Sequence, residues 1–197
     1  MQKSKKFEKY PCRLKANISF EQYFVTEHFQ FTNNSERKQS LYVYFDTLQR
    51  DLFKQGVRVR VRIRNGMYSF EVKRKTSDER TETSHAISLK EFQNLLQGIF
   101  PEGQVKSLLA HYDILFPLQW IETAVTIRQK RFLREGILVL DQTYFNSIKC
   151  FQIEFRTQFP VSLESLDRVK RDLGIVKVER KSKLQEMLDQ YLKKEAM

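Results

Sequence analysis

Residues 56–75 read GVRVRVRIRNGMYSFEVKRK and contain the most regular pattern in the chain. From 57 to 64, valine or isoleucine alternates with arginine, which is the period of a β-strand with one apolar and one charged face. The dipeptide Asn65-Gly66 follows, and it favours a two-residue hairpin turn because both positions accept a positive φ. The stretch therefore predicts a β-hairpin in which arginines share one face.

The hairpin turn also predicts which residues face each other. With a two-residue loop, Arg60 lies opposite Glu71, which is favourable, and Arg58 lies opposite Lys73, which is repulsive. A column of guanidinium groups beside ammonium groups suits contact with an anion that has several charged oxygens. A solvated basic edge is the alternative interpretation of the same pattern.

The composition indicates a folded domain with an anionic partner. The chain has 197 residues, of which 41% are hydrophobic and 13% aromatic, so it can bury a core. We predict one domain over 1–197, with a basic arm at 1–9 and a C-terminal helix at 180–197. A net charge of +11 favours nucleic acid, nucleotide, polyphosphate or an acidic membrane as partner.

Localisation follows from what the sequence lacks. No apolar run approaches the length of a membrane span, so we expect no membrane insertion. The basic N-terminus leads into no apolar signal core. Cys12 and Cys150 lack the spacing of a metal site. These features predict a cytoplasmic protein.

Several further strands show the same two-faced pattern. We predict strands at 10–17, 41–45 and 81–87 and three more between 123 and 156, with a loop at 31–39 and a turn at 46–47. Capping boxes begin helices after Ser19 and Ser88, a third helix lies near 105–109, and two more begin at about 162 and 180. About eight such strands can close with their charged faces inward, around a cavity for a polyanion.

The order and spacing of these segments resemble the CYTH superfamily, also called triphosphate tunnel metalloenzymes, and most of all its bacterial single-domain branch. The resemblance runs from about Lys15 to Leu188. It is carried by YVYFDT at 42–47, GVRVRVRIRNGMYSFEVK at 56–73, ERTET at 79–83, TAVTIRQK at 123–130, LVLDQTYF at 138–145, FQIEF at 151–155 and KSKLQEML at 181–188.

The resemblance implies an α+β fold: a closed eight-stranded antiparallel β-barrel, the triphosphate tunnel, covered by peripheral helices. In this family, inward bases bind a triphosphate and inward carboxylates hold one or two divalent cations, usually Mg²⁺ or Mn²⁺. Members cleave inorganic triphosphate, thiamine triphosphate or RNA 5′-triphosphates, or cyclise ATP. Such phosphoryl transfer depends on charge neutralisation, a metal and an oriented water.

The basic residues of the family pattern are present in this chain. Lys15 matches the lysine that ends the family's N-terminal ExExK signature, and Lys183 matches the lysine of a late SK motif. The predicted phosphate-binding set comprises Lys15, Arg58, Arg60, Arg62, Lys73, Arg128, Lys130 and Lys183.

The acidic residues match less well. The two glutamates of ExExK are replaced by Pro11 and Arg13, and Gln152 replaces the first glutamate of a second ExE pair. Hard divalent cations prefer charged oxygen ligands, so these replacements predict weakened binding of Mg²⁺ or Mn²⁺. The candidate metal ligands are the retained Glu82, Asp141 and Glu154 and an additional carboxylate, Glu71, for which Arg60 is the favoured partner.

Three functions follow from this pattern of retained and lost residues. The first is binding of inorganic triphosphate, polyphosphate or nucleoside triphosphate with weak or lost metal-dependent hydrolysis. The second is an active metal-dependent triphosphatase with a rearranged carboxylate site. The third is nucleic-acid binding by a basic surface, which fits the charge but has no sequence motif of a nucleic-acid reader.

Overall fold

The structure is a computed structural model of the chain. It describes residues 12–31, 35–75, 80–100, 102–111, 114, 117–134, 136–145, 148–157 and 171. These residues contain eight β-strands: β1 Cys12–Ile18, β2 Glu36–Asp46, β3 Val57–Arg64, β4 Met67–Lys75, β5 Arg80–Ile87, β6 Gln119–Leu133, β7 Gly136–Phe145 and β8 Ile148–Thr157. They also contain four helices: α1 Phe20–Gln30, α2 Asp51–Lys54, α3 Leu89–Leu96 and α4 Gln104–His111.

The strands form one antiparallel sheet in the order β1-β8-β7-β6-β2-β3-β4-β5. This confirms the predicted eight antiparallel strands. Among the helices of the described part of the chain, none combines the length and the apolar character that crossing a bilayer requires. The N-terminal arm at 1–9 and, apart from residue 171, the two predicted C-terminal helices lie outside the described residues.

The chain separates into two compact units, one formed by 39–126 and the other by 1–38 with 127–197. Each unit has its own hydrophobic core. The core of the 39–126 unit includes Val43, Phe45, Val59, Val61, Phe70, Val72, Leu95 and Val105. The core of the other unit includes Leu14, Ala16, Tyr23, Leu138, Leu140, Phe151 and Ile153.

The hairpin predicted from 56–75 is present as β3 and β4. Asn65 and Gly66 adopt φ angles of 50° and 71°, as the turn requires. Arg60 lies opposite Glu71 and Arg58 lies opposite Lys73, which confirms the predicted register. The alternation therefore separates an apolar face from a charged face along both strands.

Helices cover the apolar face of this hairpin. Val61 on β3 and Phe70 and Val72 on β4 are 0% exposed, and they share a core with Leu95 of α3 and Val105 of α4. Burying such side chains stabilises the unit by about 1.5–3 kcal/mol each. The predicted capping boxes begin α1 and α3, with Ser19 and Ser88 accepting from the third helical backbone N–H.

Two local predictions were wrong or incomplete. Residues 36–39, predicted as part of a loop, belong to β2, which begins at Glu36, because neighbouring strands supply hydrogen bonds that polar side chains alone do not predict. The predicted turn at 46–47 leads into the short helix α2. The Asp46 carboxylate accepts backbone N–H groups of Thr47, Leu52 and Phe53 at 2.7–3.0 Å, so this side chain holds the start of α2.

Candidate functional site

The charged face of β3 and β4 forms a compact cluster in the 39–126 unit, which we call the arginine-strand cluster. It consists of Arg60, Arg62, Glu71 and Lys73 with Glu82 of β5. The register of β5 places Glu82 directly opposite Lys73. Three cations and two carboxylates are therefore brought together by strand pairing.

Glu71 lies at the centre of the arginine-strand cluster. Arg60 donates from Nε and Nη2 to Oε2 of Glu71, at 2.8 Å and 2.6 Å. Nε of Arg62 lies 3.1 Å from Oε1 of the same carboxylate. Lys73 Nζ lies 4.0 Å from Glu71 Oε2 and 2.6 Å from Oε1 of Glu82. One carboxylate thus faces three bases.

The charged face is buried at its centre and partly exposed at its edges. Glu71 is 0% exposed, whereas the Lys73 and Arg62 side chains are 27% and 34% exposed. Burial raises the pKa of Glu71, but the attraction of Arg60, Lys73 and Arg62 outweighs it and the net pKa is lowered. Burial, together with repulsion from Arg60, lowers the pKa of Lys73 to about 8. The cluster therefore holds a lysine that titrates close to neutral pH.

Two tyrosines of β2 extend the cluster. Tyr42 lies opposite Arg62 and Tyr44 opposite Arg60 in the β2–β3 register. The Arg60 guanidinium lies 4.2 Å from the centroid of the Tyr42 ring, within cation–π range. This role was not predicted, although Tyr42 and Tyr44 alternate with the buried Val43 and Phe45, a pattern that places both tyrosines on the charged face.

A second charged cluster lies in the other unit. Arg128 of β6 donates to both oxygens of Asp141 on β7 at 2.7 Å, a bidentate pair. Arg156 of β8 donates to both oxygens of Glu154 at 2.8 Å and 3.0 Å. Lys15, which is half-buried, lies opposite Glu154 in the β1–β8 register.

Lys130 lies among charged neighbours that were not predicted from the sequence. Its Nζ lies 3.7 Å from Glu36 Oε2, and Glu36 also forms an ion pair with Lys38. Burial and repulsion from Arg128, Lys38 and Arg156 lower the pKa of Lys130, against the opposing effect of Glu36. Glu36 and Lys38 stand at alternate positions, which is the pattern of a strand with a charged face, in a segment that was predicted as a loop.

The structure positions most of the predicted phosphate-binding residues. Arg58 is half-buried on the charged face of β3. Arg60, Arg62 and Lys73 meet in the arginine-strand cluster, and Arg128 lies in the second cluster. Lys183 lies outside the described residues. Their role in phosphate binding remains a prediction.

The predicted metal ligands do not offer a ready site for a divalent cation. Each is paired with a base: Glu71 with two arginines, Glu82 with Lys73, Asp141 with Arg128 and Glu154 with Arg156. A divalent cation at any of them would meet a guanidinium or ammonium group at close range. Within the described part of the chain, no three His, Cys, Asp or Glu side chains form a group that could hold a metal ion.

Gln152 stands where the family pattern has a glutamate. Gln152 is buried and donates from Nε2 to Oδ1 of Asn17 at 2.6 Å. Its Oε1 accepts no hydrogen bond. Pro11 and the side chain of Arg13 lie outside what the structure describes.

The fold and its charged strand faces define the class of protein. The CYTH-domain family model matches residues 13–188, and the chain belongs to the CYTH family. The chain is 26% identical over 143 residues to YjbK of Bacillus subtilis, to which a triphosphatase activity is ascribed. That alignment covers 72% of this chain and 74% of YjbK.

Solved structures show the same fold. A Bacillus halodurans protein, to which an adenylate cyclase activity is ascribed, superposes with a TM-score of 0.73 at 25% identity, over 88% of this chain and 95% of its own. HpAC1 from Hippeastrum, described as having a dominant triphosphatase activity, superposes with a TM-score of 0.69 at 16% identity, over 87% and 92% of the two chains. At the identity of HpAC1, the likeness concerns the fold alone.

Proposed function

We propose that this protein binds triphosphate-containing anions (inorganic triphosphate, polyphosphate or a nucleoside triphosphate) through the arginine-strand cluster, with weak or lost metal-dependent hydrolysis. The observation that carries the proposal is the complete burial of Glu71 among three bases on the charged face of β4. Phe70, Glu71 and Val72 are consecutive and all 0% exposed, so the charged face is not an ordinary solvated surface. Guanidinium groups collected on a partly buried face suit polyphosphate recognition.

The ion pairs of the carboxylates support the proposed weakness of metal-dependent hydrolysis. Each of the four predicted metal ligands forms an ion pair with a base. The bases can neutralise the charge of a bound triphosphate without a metal, but they do not generate a metal-activated water. Closure of the sheet into a barrel and participation of Lys15, Lys130 and Lys183 belong to the same proposal and rest on the family resemblance.

An active divalent-metal-dependent triphosphatase is the second candidate. The likeness to YjbK favours it, because YjbK is ascribed a triphosphatase activity. For this activity, Mg²⁺ or Mn²⁺ would have to recruit Asp141, Glu154 or Glu82 away from their present base partners. Release of phosphate that depends on added Mg²⁺ or Mn²⁺ would establish this second function.

Calorimetric binding of inorganic triphosphate in EDTA tests the first proposal. Arg62→Gln and Lys73→Gln should each weaken binding about tenfold or more, because a hydrogen bond to a charged group contributes about 1.5–3 kcal/mol. Arg74→Gln is the matched control. Arg74 is next to Lys73 on β4 but is exposed and lies on the opposite face of the strand, the face that carries Phe70 and Val72. The affinity of the Arg74→Gln variant for triphosphate should stay within about twofold of that of the wild type.

Three results would count against the proposal. Unchanged affinity in both Arg62→Gln and Lys73→Gln would exclude the arginine-strand cluster as the binding site. Equal losses in all three variants would indicate a general effect of net charge. Salt-sensitive binding to generic DNA that triphosphate does not displace would instead support nucleic-acid binding.

A further inference from the structure

The charge arrangement around Glu71 differs from that of a typical surface ion pair. Its carboxylate is 0% exposed and is shared by Arg60, Arg62 and Lys73. Arg60 commits two nitrogens to the single oxygen Oε2. Oε1 has Arg62 Nε at 3.1 Å but lacks the geometry of a hydrogen bond. The bases are thus collected around a carboxylate that uses its hydrogen-bonding capacity incompletely.

A metal-binding role for Glu71 does not fit these neighbours. A cation near Oε1 would approach the guanidinium of Arg62, and a cation near Oε2 would approach Arg60 and Lys73. Repulsion between like charges is strong at such distances around a buried carboxylate. The chemistry that these three bases share is recognition of an anionic oxygen, and the Glu71 carboxylate supplies that oxygen from within the chain.

We propose that Glu71 is the resident counter-anion of the arginine-strand cluster, and that a triphosphate group must displace it from Arg60 and Arg62 in order to bind. The inference rests on the proposed function and adds a residue that limits affinity at the same site. Carboxylate and phosphoryl oxygens accept the same forked donation from arginine, so the exchange replaces one anion by another without covalent change.

Glu71 has two opposing effects in this arrangement. It holds the two guanidiniums on the charged face when no ligand is bound, so they need little reorganisation on binding. It also repels the ligand and competes for the same donors. A triphosphate carries more charge than inorganic phosphate, so repulsion by Glu71 costs triphosphate more.

Glu71→Gln separates these effects, because the amide retains an acceptor oxygen for Arg60 but loses the charge. The matched control is Glu102→Gln, which removes the same charge from a side chain that is 80% exposed and pairs only with the exposed Lys106 among the ion pairs found. Binding is measured by calorimetry in EDTA with inorganic triphosphate and, separately, inorganic phosphate as the probes.

We expect Glu71→Gln to bind triphosphate about tenfold more tightly than wild type, and Glu102→Gln to remain within about twofold. The gain should be larger for triphosphate than for phosphate. A carboxylate that only supports the fold predicts the reverse, namely equal or weaker binding after substitution, and that result would overturn the inference.

Failure of the inference and failure of the proposed function can be told apart. If wild type binds triphosphate and Arg62→Gln weakens it, but Glu71→Gln brings no gain, only the role of Glu71 is wrong. If neither wild type nor Glu71→Gln binds triphosphate, both proposals are wrong. Binding by Glu71→Gln alone would support a counter-anion that excludes the ligand from the wild-type site.

A measurement on the wild-type protein covers the case in which Glu71→Gln does not fold. In protein labelled with ¹⁵N-arginine, the Nε–H resonance of Arg60, assigned with Arg60→Lys, reports the hydrogen bond to Glu71. Saturating triphosphate should shift this resonance as the acceptor changes. Saturation without a shift at Arg60 would show that Glu71 is not displaced and would overturn the inference.

Discussion

Replacing Arg60 with methionine would test whether the buried ion pair with Glu71 stabilises the 39–126 unit. Methionine replaces the apolar stem of the arginine but removes the two hydrogen bonds, of 2.8 Å and 2.6 Å, that Arg60 donates to Glu71, whose carboxylate is 0% exposed. Breaking a buried ion pair costs about 3–5 kcal/mol when the remaining charge has no other partner. Glu71 keeps Arg62 at 3.1 Å and Lys73 at 4.0 Å. We therefore expect a loss of about 2–3 kcal/mol in the free energy of unfolding.

Urea unfolding at pH 7, followed by circular dichroism, measures this loss. The double variant Arg60→Met/Glu71→Met should recover most of it, because replacing both partners by apolar side chains leaves no unpaired charge. The comparison of the two variants separates the cost of an uncompensated carboxylate from the cost of lost packing by the arginine side chain.

The pH dependence provides an independent check. The folded pKa of Glu71 lies below its ordinary value of 4.5, so its ion pairs contribute stability above pH 4.5, and this contribution is lost as the pH falls through the folded pKa. Removing Arg60 weakens that contribution, so the difference between wild type and Arg60→Met should shrink in acid. A loss below about 0.5 kcal/mol at pH 7, or a double variant less stable than Arg60→Met, would refute the reasoning.

Three further predictions concern Lys73, Gly136 and Asp46. Because the pKa of Lys73 is about 8, triphosphate affinity should fall as the pH rises from 7 to 9, and Lys73→Met should remove that fall. The free energy of unfolding should rise between about pH 8 and pH 10.5, the ordinary lysine pKa, because the folded protein loses the Lys73 proton at a lower pH than the unfolded chain does. Gly136→Ala should cost about 1–3 kcal/mol in urea unfolding, because its Cβ would overlap the backbone carbonyl oxygen of Arg156, whereas a cost below 0.5 kcal/mol would show that β7 and β8 shift freely. Asp46→Ala should cost about 2 kcal/mol by removing the acceptor for three backbone N–H groups, and an unchanged unfolding midpoint would contradict a structural role for this carboxylate.

Much of the fold could be predicted because its signals are local. The valine–arginine alternation and the Asn65-Gly66 turn were enough to predict that Arg60 faces Glu71, and the two side chains meet at 2.6 Å. The capping boxes at Ser19 and Ser88 were likewise correct, since a cap depends on side chains within one helical turn. Helix α2 was missed because its start is held by Asp46, a residue separated from it by a turn.

The candidate site was only partly predictable, because its composition depends on strands that are distant in sequence. The pairing of β2 with β3 makes Tyr42 a diagonal neighbour of Arg60, which lies 4.2 Å from its ring centroid. Glu36 lies 3.7 Å from Lys130, although 31–39 was predicted as a loop. Arg156 was not singled out, yet it binds both oxygens of Glu154. Periodicity predicts which residues share a face, but not which neighbour a long side chain reaches.

The sequence by itself determined the strand period, the hairpin register and the family, because these depend on short-range patterns and on their order along the chain. Only the tertiary structure decided that Glu71 is completely buried and that every predicted metal carboxylate is paired with a base. The physical reason is that solvent exposure and ion pairing depend on what packs around a side chain. For Glu71, that environment comprises three bases on two strands, and no local pattern in the sequence gathers all three around one carboxylate.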